Sequence, residues 1–214
     1  MGPLTAVMAA EYAMDQGWGL LSLLPFSLPF YLELILGIIL LDLLIYLQHV
    51  ACHYVPVLWR FHKVHHADRD LDVTTGVRFH PVEAILSMLY KCAVIALLGP
   101  IALSVVIFEI VLNASAMFNH ANVAIPKKID TFLRWFIITP DVHRIHHSTN
   151  VAETNSNYGF FLSIWDRIGK TYKSQPEAGH DDMVIGLSSY QTQNPSKIIW
   201  CLTLPFKKII RGKA

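Results

Sequence analysis

Apolar and polar positions fall in long blocks along this chain. Leu28 to Leu47 is a nearly continuous apolar run, about the 20 residues that a helix needs to cross a bilayer. It passes directly into Gln48, His49 and His53. Residues 54–81 are polar and rich in His, Asp and Arg. Val82 to Leu98 and Ile101 to Phe118 are two further apolar stretches, and Gly99-Pro100 between them is a strong turn signal. Each stretch is slightly short for a span, so the pattern predicts either a tight membrane hairpin or a shallow re-entrant one over 82–118. Residues 119–173 are polar again. Pro195 to Ala214 joins the apolar stretch IIWCLTLPF to Lys207, Lys208, Arg211 and Lys213, which predicts a tail lying on a membrane surface. Residues 1–27 are mixed, bounded by Pro25 and Pro29, and lack the basic start of a signal peptide. The expected architecture is all-α: one integral-membrane domain over 1–214, with a span at 28–47, a hairpin at 82–118 and a surface tail at 195–214.

Composition strengthens the membrane reading. The chain is 53% hydrophobic and only 15% charged, against about 25% charged in soluble domains. A net charge of +1 gives no signal for nucleic acid. The 17 Lys and Arg residues all follow residue 59, whereas Glu11 and Asp15 precede the first span. Basic residues concentrate on the cytoplasmic side, so the N-terminus is expected outside and the polar histidine-bearing segments in the cytoplasm. The 3 cysteines, Cys52, Cys92 and Cys201, form no pairing framework.

The 11 histidines are unusual in their spacing. HVACH carries His49 and His53. HKVHH carries His62, His65 and His66, and HRIHH carries His143, His146 and His147. Residues three and four apart share a helix face, so each HxxHH is expected to present three imidazoles in one direction. Neutral imidazole suits iron, zinc or copper, while calcium and magnesium prefer oxygen. Eight imidazoles exceed what one ion takes, which points to two. The HExxH of zinc proteases is absent from the sequence.

The segments LQHVACH, WRFHKVHHADRDLDVTTGVRFHPVE, FNHAN, TPDVHRIHHS and SNYGFFLSIWDRIGKTY together resemble the fatty acid hydroxylase superfamily, also called the sterol desaturase family. The likeness runs from about Asp42 to Tyr172 and continues weakly through AGHDDMVIGL at 178–187. It implies an all-helical membrane protein with a cytosolic histidine-rich cap over two iron ions. It also implies O2 as co-substrate and a separate electron-transfer partner of cytochrome b5, ferredoxin or reductase type. By resemblance the metal ligands are His49, His53, His62, His65, His66, His120, His143, His146 and His147, with His80 as a tenth and His180 outside the set. Members usually carry Phe-Gly-Thr after the Trp-Asp pair; here Trp165-Asp166 is followed by Arg167, Ile168, Gly169, Lys170 and Thr171. Many members also have another helix or two before the span leading into HxxxH, so the N-terminus looks short.

Several polar neighbours are candidates for supporting the ligands. Asp42 lies seven residues before His49, nearly on the same helix face. It is expected either to accept the free N–H of a ligand histidine or to make a helix-packing hydrogen bond. Asp141, Asn157 and Asp166 are similar candidates near the third cluster, and Asn122 could hold a metal-bound water. Arg78 and Arg144 sit beside ligands. Within the hairpin, Lys91 and Glu109 lie eight residues before Gly99 and nine after Pro100, each roughly 12–14 Å from the turn at 1.5 Å per residue. Antiparallel packing puts them at one depth, so they are expected to face each other or to share a polar neighbour such as Asn113.

The function this implies is O2-dependent hydroxylation or desaturation of a membrane lipid. A membrane metal-binding or transport protein would instead place its ligands at mid-membrane, and a metal-dependent lipid hydrolase would take zinc and consume no O2. The sequence has no GxGxxG and no ferredoxin-type cysteine run, which is why the electrons are expected from a partner.

Overall fold

The computed structural model describes residues 2–207. Among these residues there are ten α-helices: α1 (Gly2–Asp15), α2 (Phe30–Tyr54), α3 (Pro56–His62), α4 (Pro81–Leu98), α5 (Ala102–His120), α6 (Lys127–Leu133), α7 (Pro140–His146), α8 (Val151–Thr154), α9 (Ile164–Ile168) and α10 (Ile198–Thr203). Tight 3-10 turns occur at His65–Ala67, Val73–Val77, Ser188–Tyr190 and Leu204–Phe206. Among the described residues β pairing is limited to two isolated bridges, Ile137 with Leu162 and Ser148 with Ile185. The architecture is all-α, as the apolar blocks predict.

Helices α2, α4 and α5 are long and apolar enough to cross a membrane. In α2 the buried residues Gly37, Leu41, Ile45, His49 and Cys52 recur every three or four positions, so one stripe faces the other helices. Leu32, Ile35 and Leu47 point outward and are exposed, the arrangement expected where the solvent is hydrocarbon. Gly37 permits close approach to α5, because a Cβ there would lie 2.7 Å from Ser104 Oγ. That hydroxyl donates to the Leu34 carbonyl at 3.2 Å, a small-residue contact of the kind that joins helices in membranes.

The 82–118 region is a helical hairpin with arms long enough to span. Helices α4 and α5 have 18 and 19 residues, so each is roughly 27–29 Å long, close to the ~30 Å of a hydrocarbon core. Pro81 starts α4, where its missing N–H costs nothing. Gly99 ends it in the left-handed conformation (φ 65°), its N–H donating to Ile95 O. Lys91 and Glu109 face each other across the hairpin with Nζ and Oε1 2.6 Å apart, both buried. Asn113 joins them only indirectly, donating its amide to the Glu109 backbone carbonyl.

Helix α1 has no counterpart in the apolar blocks. Ala6, Ala10 and Ala13 are fully buried on one face, and these small side chains let α1 lie along α4 and α5. The following loop clasps the hairpin end, with Leu20 N donating to Leu97 O and Leu21 N to Leu98 O. Ala6 and Ala10 share a core with Leu41, Ile45, Val94, Ile95, Leu98, Val105 and Phe108.

Helix α10 and the turn after it fold back onto the polar segment. Leu204 is fully buried against Val64 and Ala67, and Phe206 meets Phe61 edge-on. Arg78 pairs with Asp68 at 3.0 Å and also donates to the Pro195 carbonyl, fixing where this segment begins. Ile198, Ile199 and Phe206 remain exposed. Of the basic residues expected in the tail, Lys208, Arg211 and Lys213 lie outside the described residues.

Candidate metal centre

Nine histidines converge where the ends of α2 and α5 meet α3, α7 and the turn at His65–Ala67. They form two groups whose potential ligand atoms lie within 4.8 Å of one another: His49, His53, His62, His66 and His146 in the first, and His65, His120, His143 and His147 in the second. The motifs do not map one to a group. Helix α3 ends at His62 and a 3-10 turn begins at His65, so HKVHH does not lie along a single helix face. His62 and His66 enter the first group while His65 enters the second. HRIHH divides the other way: His146 joins the first group, and His143 and His147 the second. Adjacent residues point in different directions, so each motif contributes to both groups.

Hydrogen bonds fix which ring nitrogen faces inward. His49 Nδ1 is 2.6 Å from the Tyr158 carbonyl, His146 Nδ1 is 2.7 Å from the Ser156 carbonyl, and His120 Nδ1 is 2.6 Å from the Ala116 carbonyl. A carbonyl only accepts, so each Nδ1 carries the proton and each Nε2 presents a lone pair. His62 Nδ1 lies 2.6 Å from Glu83 Oε1, and His53 Nδ1 is 3.4 Å from Asn155 Oδ1. Yet His49 Nε2 is 3.1 Å from His146 Nε2 and 3.1 Å from His62 Nε2. In the second group His120 Nε2 is 3.1 Å from His65 Nε2, 3.1 Å from His143 Nε2 and 3.2 Å from His147 Nε2.

Lone pairs crowded in this way repel unless a cation lies among them. Protonation is a poor alternative. Burial, reinforced by neighbouring imidazoles, pushes His65, His66, His143 and His147 well below the ordinary histidine range. His146, buried beside His62, is pushed down to about 3. Ligands about 2.1 Å from a first-row metal ion sit roughly 3.0–3.4 Å from one another, which matches the spacing observed. The donor set is all imidazole, and both nitrogens of buried His66 lack a protein partner. The residues present therefore fit two ions of the iron, zinc or copper class.

Aromatic rings enclose the nitrogens. Phe79 stacks on His65 at 4.9 Å, Phe160 lies 4.9 Å from His49, and buried Tyr158 sits among His49, His53 and His146. Gly76 lets the Val73–Val77 turn reach α5, since a Cβ there would come within 2.9 Å of the Ala116 carbonyl that holds His120. A cavity of about 310 Å³ lies between α2, α4 and α5 and ends at His49 and His62.

His80, the tenth ligand of the sequence-based set, sits apart from the other nine. It lies in neither group. It caps α4, its Nδ1 accepting from Val82 N–H at 3.2 Å, while its Nε2 faces the Leu202 carbonyl at 3.4 Å. His180 also lies in neither group, and burial pushes its pKa down.

The polar neighbours divide as well. Asp42 does not meet a histidine; it accepts from the Trp165 indole at 2.7 Å and Leu162 N–H at 3.2 Å, the helix-packing alternative. Asn122 is exposed and accepts from Arg144. Asp141 pairs with Arg134 at 3.5 Å. Asp166 and Asn157 act one step behind the ligands. Asp166 accepts from the N–H groups of Tyr158 and Gly159 and from the Thr171 hydroxyl. Asn157, in the left-handed region (φ 52°), ties Val142 O to the backbone of Lys173. Together they hold the turn whose carbonyls receive His49 and His146. Thr171 contacts Tyr46 as well, and a Cβ at Gly169 would clash with the Tyr46 hydroxyl, so Gly169-Lys170-Thr171 forms the tight turn here.

Glu83, Asn155 and the carbonyls of Ser156, Tyr158 and Ala116 are the supporting groups that sequence reasoning missed. Only Glu83 left a trace: the lone carboxylate of α4, on its first turn.

The fatty acid hydroxylase family model matches residues 34–171. The chain is 30% identical over 161 residues to the ornithine lipid hydroxylase OlsE of Rhizobium tropici, covering 75% of this chain and 48% of that protein. It is 29% identical over 133 residues to the alkylglycerol monooxygenase of Xenopus tropicalis, covering 62% of this chain and 28% of that protein. Against the Delta(7)-sterol 5(6)-desaturase erg3B of Aspergillus fumigatus it is 30% identical over 157 residues, covering 70% of this chain and 42% of that protein. The chain thus spans about half the length of these relatives or less. No solved structure matches.

Proposed function

We propose that this chain, which belongs to the fatty acid hydroxylase family, is an O2-dependent membrane oxidoreductase that hydroxylates or desaturates a lipid at two histidine-held irons. The observation that carries the reading is the pairing of unprotonated nitrogens, above all His49 Nε2 against His146 Nε2 at 3.1 Å. The relatives named as hydroxylase, monooxygenase and desaturase all act by oxidation.

His49, His53, His62, His66 and His146 would hold one ion, and His65, His120, His143 and His147 the other. When bound, iron supplies the activation of O2 and the oxidation of an unreactive C–H bond, chemistry that no side chain performs. The chain's own groups do the rest. Glu83 and the carbonyls of Tyr158, Ser156 and Ala116 take the Nδ1 protons of their histidines, which fixes the tautomer with Nε2 inward and keeps the rings oriented. Phe79, Tyr158 and Phe160 keep water away. Ile45, Ala84, Met88 and Leu112 line the cavity leading to His49 and His62, an apolar path for a lipid chain. Hydroxylation and desaturation share the first hydrogen abstraction, so one site serves either. Electrons come from a separate donor of cytochrome b5, ferredoxin or reductase type. The N-terminus lies outside and the histidines on the cytoplasmic face, because every Lys and Arg follows the start of α3.

The test is metal analysis of purified protein together with O2 uptake. About two irons per chain and lipid-dependent O2 consumption are expected. Stoichiometric zinc without iron, in protein made without excess zinc, would sink the oxygenase reading and favour a hydrolase.

A further inference from the structure

We propose that the Lys91–Glu109 pair seats the polar group of the lipid substrate, an uncharged group that both donates and accepts hydrogen bonds, such as a hydroxyl or an amide. This rests on the lipid-oxidation reading above and adds to it the class of substrate and the region of its chain that is oxidised.

The pair lies on the wall of the cavity that ends at His49 and His62. An ion pair serving only to join two helices would be sealed between them. Here Lys91 and Glu109 line the void, together with Ser87, Gln48 and Asn113, while most of the remaining wall is apolar. Along α4, Glu83, Ser87 and Lys91 are spaced by four residues and all line the cavity. They form one polar stripe from the histidines toward the middle of the hairpin.

The chemistry of the seat follows from its valences. Lys91 Nζ has three N–H donors and spends one on Glu109 Oε1 at 2.6 Å. The Glu109 carboxylate keeps further lone pairs. Asn113, also on the cavity wall, spends an amide N–H on the Glu109 backbone carbonyl. The pair is neutral as a unit. A carboxylate or phosphate would bring an uncompensated charge into a low-dielectric site, which is costly. A hydroxyl or amide brings no charge and satisfies a donor and an acceptor together.

Position then selects the part of the chain presented for oxidation. Glu83 touches His62, and Lys91 is eight residues further along α4, about 12 Å at 1.5 Å per residue. A lipid anchored at the pair reaches the histidines with carbons well down its chain, not with those beside the polar group.

Site-directed photolabelling tests this with the metal-loaded protein in nanodiscs. Two hexadecanol probes are used, one with a diazirine beside the hydroxyl and one with it near mid-chain. Adducts are mapped by mass spectrometry. The first probe should label α4 and α5 around Lys91 and Glu109, and the second the residues near His49, Cys52 and Phe160. Unlabelled hexadecanol or hexadecanamide should suppress labelling about tenfold better than hexadecane, the value of one good hydrogen-bonded contact. The double variant Lys91→Met/Glu109→Met should keep its metal and lose that preference, because an apolar pair of similar volume replaces a buried ion pair with little loss of stability. Reversed labelling, an unchanged preference in the double variant, or suppression by palmitate exceeding that by hexadecanol would each overturn the proposal. None of these readouts requires turnover. Correct labelling in a protein that takes up no O2 would therefore fault the oxidation reading, and reversed labelling in an iron-loaded, active protein would fault this one.

Discussion

Glu83 Oε1 accepts from His62 Nδ1 at 2.6 Å, and both side chains are buried. A carboxylate on the first turn of a membrane helix thus sets the tautomer of a histidine whose other nitrogen faces His49. Partners of this kind are worth about 10–100-fold in metal affinity. Glu83→Ala should lose about that much in chelator competition. Glu83→Gln, which keeps an accepting oxygen, should lose less. Unchanged affinity in Glu83→Ala would show that the carboxylate does not orient the ligand.

The two histidine groups exclude His80 and His180, and the variants should follow that boundary. His146→Ala should lose most of its iron, because it removes one nitrogen of a five-histidine group. His80→Ala should keep its iron and lose about 0.5–2 kcal/mol of stability with the α4 cap. His180→Ala should also keep its iron. Metal content and thermal unfolding in one detergent separate these outcomes; iron loss in His80→Ala would restore it as a ligand.

Asp166 takes three hydrogen bonds, two of them from the N–H groups of Tyr158 and Gly159. Removing it leaves buried donors unpaired at about 1–3 kcal/mol each. Asp166→Ala should be destabilised by several kcal/mol and should bind iron less tightly, because the Tyr158 carbonyl that holds His49 loses its support. If stability falls while iron affinity is untouched, the turn is structural only.

Lys91→Met leaves Glu109 as a buried charge without its cation. It should destabilise the protein by about 3–5 kcal/mol. Adding Glu109→Met should recover most of that loss. A double-mutant cycle by thermal unfolding measures the coupling, and a single variant as stable as the parent would show that the pair is effectively solvated.

Turnover should require O2 and an added electron donor. NAD(P)H alone should not support lipid oxidation by the purified chain. Oxidation with NADPH and no second protein would remove the need for a partner.

The sequence by itself determined the long apolar helices, the hairpin and the histidines that come together in the fold. Hydrophobic runs of near-bilayer length leave few alternatives, because backbone in lipid must satisfy its own hydrogen bonds and a run of about 20 apolar residues does so as a helix. The turn at Gly99-Pro100 and the equal depth of Lys91 and Glu109 follow from local turn chemistry and helix rise alone. Clustered histidines are likewise a local signal of metal chemistry. Tertiary structure decided what depends on packing between distant segments. It divided each HxxHH between two groups, because α3 stops at His62 and neighbouring residues point apart. It kept His80 away from both groups by using it as a helix cap, and it brought Glu83 to His62 across 21 residues. Asp42, on nearly the same helix face as His49, met Trp165 instead of a histidine because α9 packs beside it. Helix α1 escaped the hydropathy pattern because its buried face is alanine, which packs closely without forming an apolar run. Spacing fixes which side chains can share a face; only the packed chain fixes what that face meets.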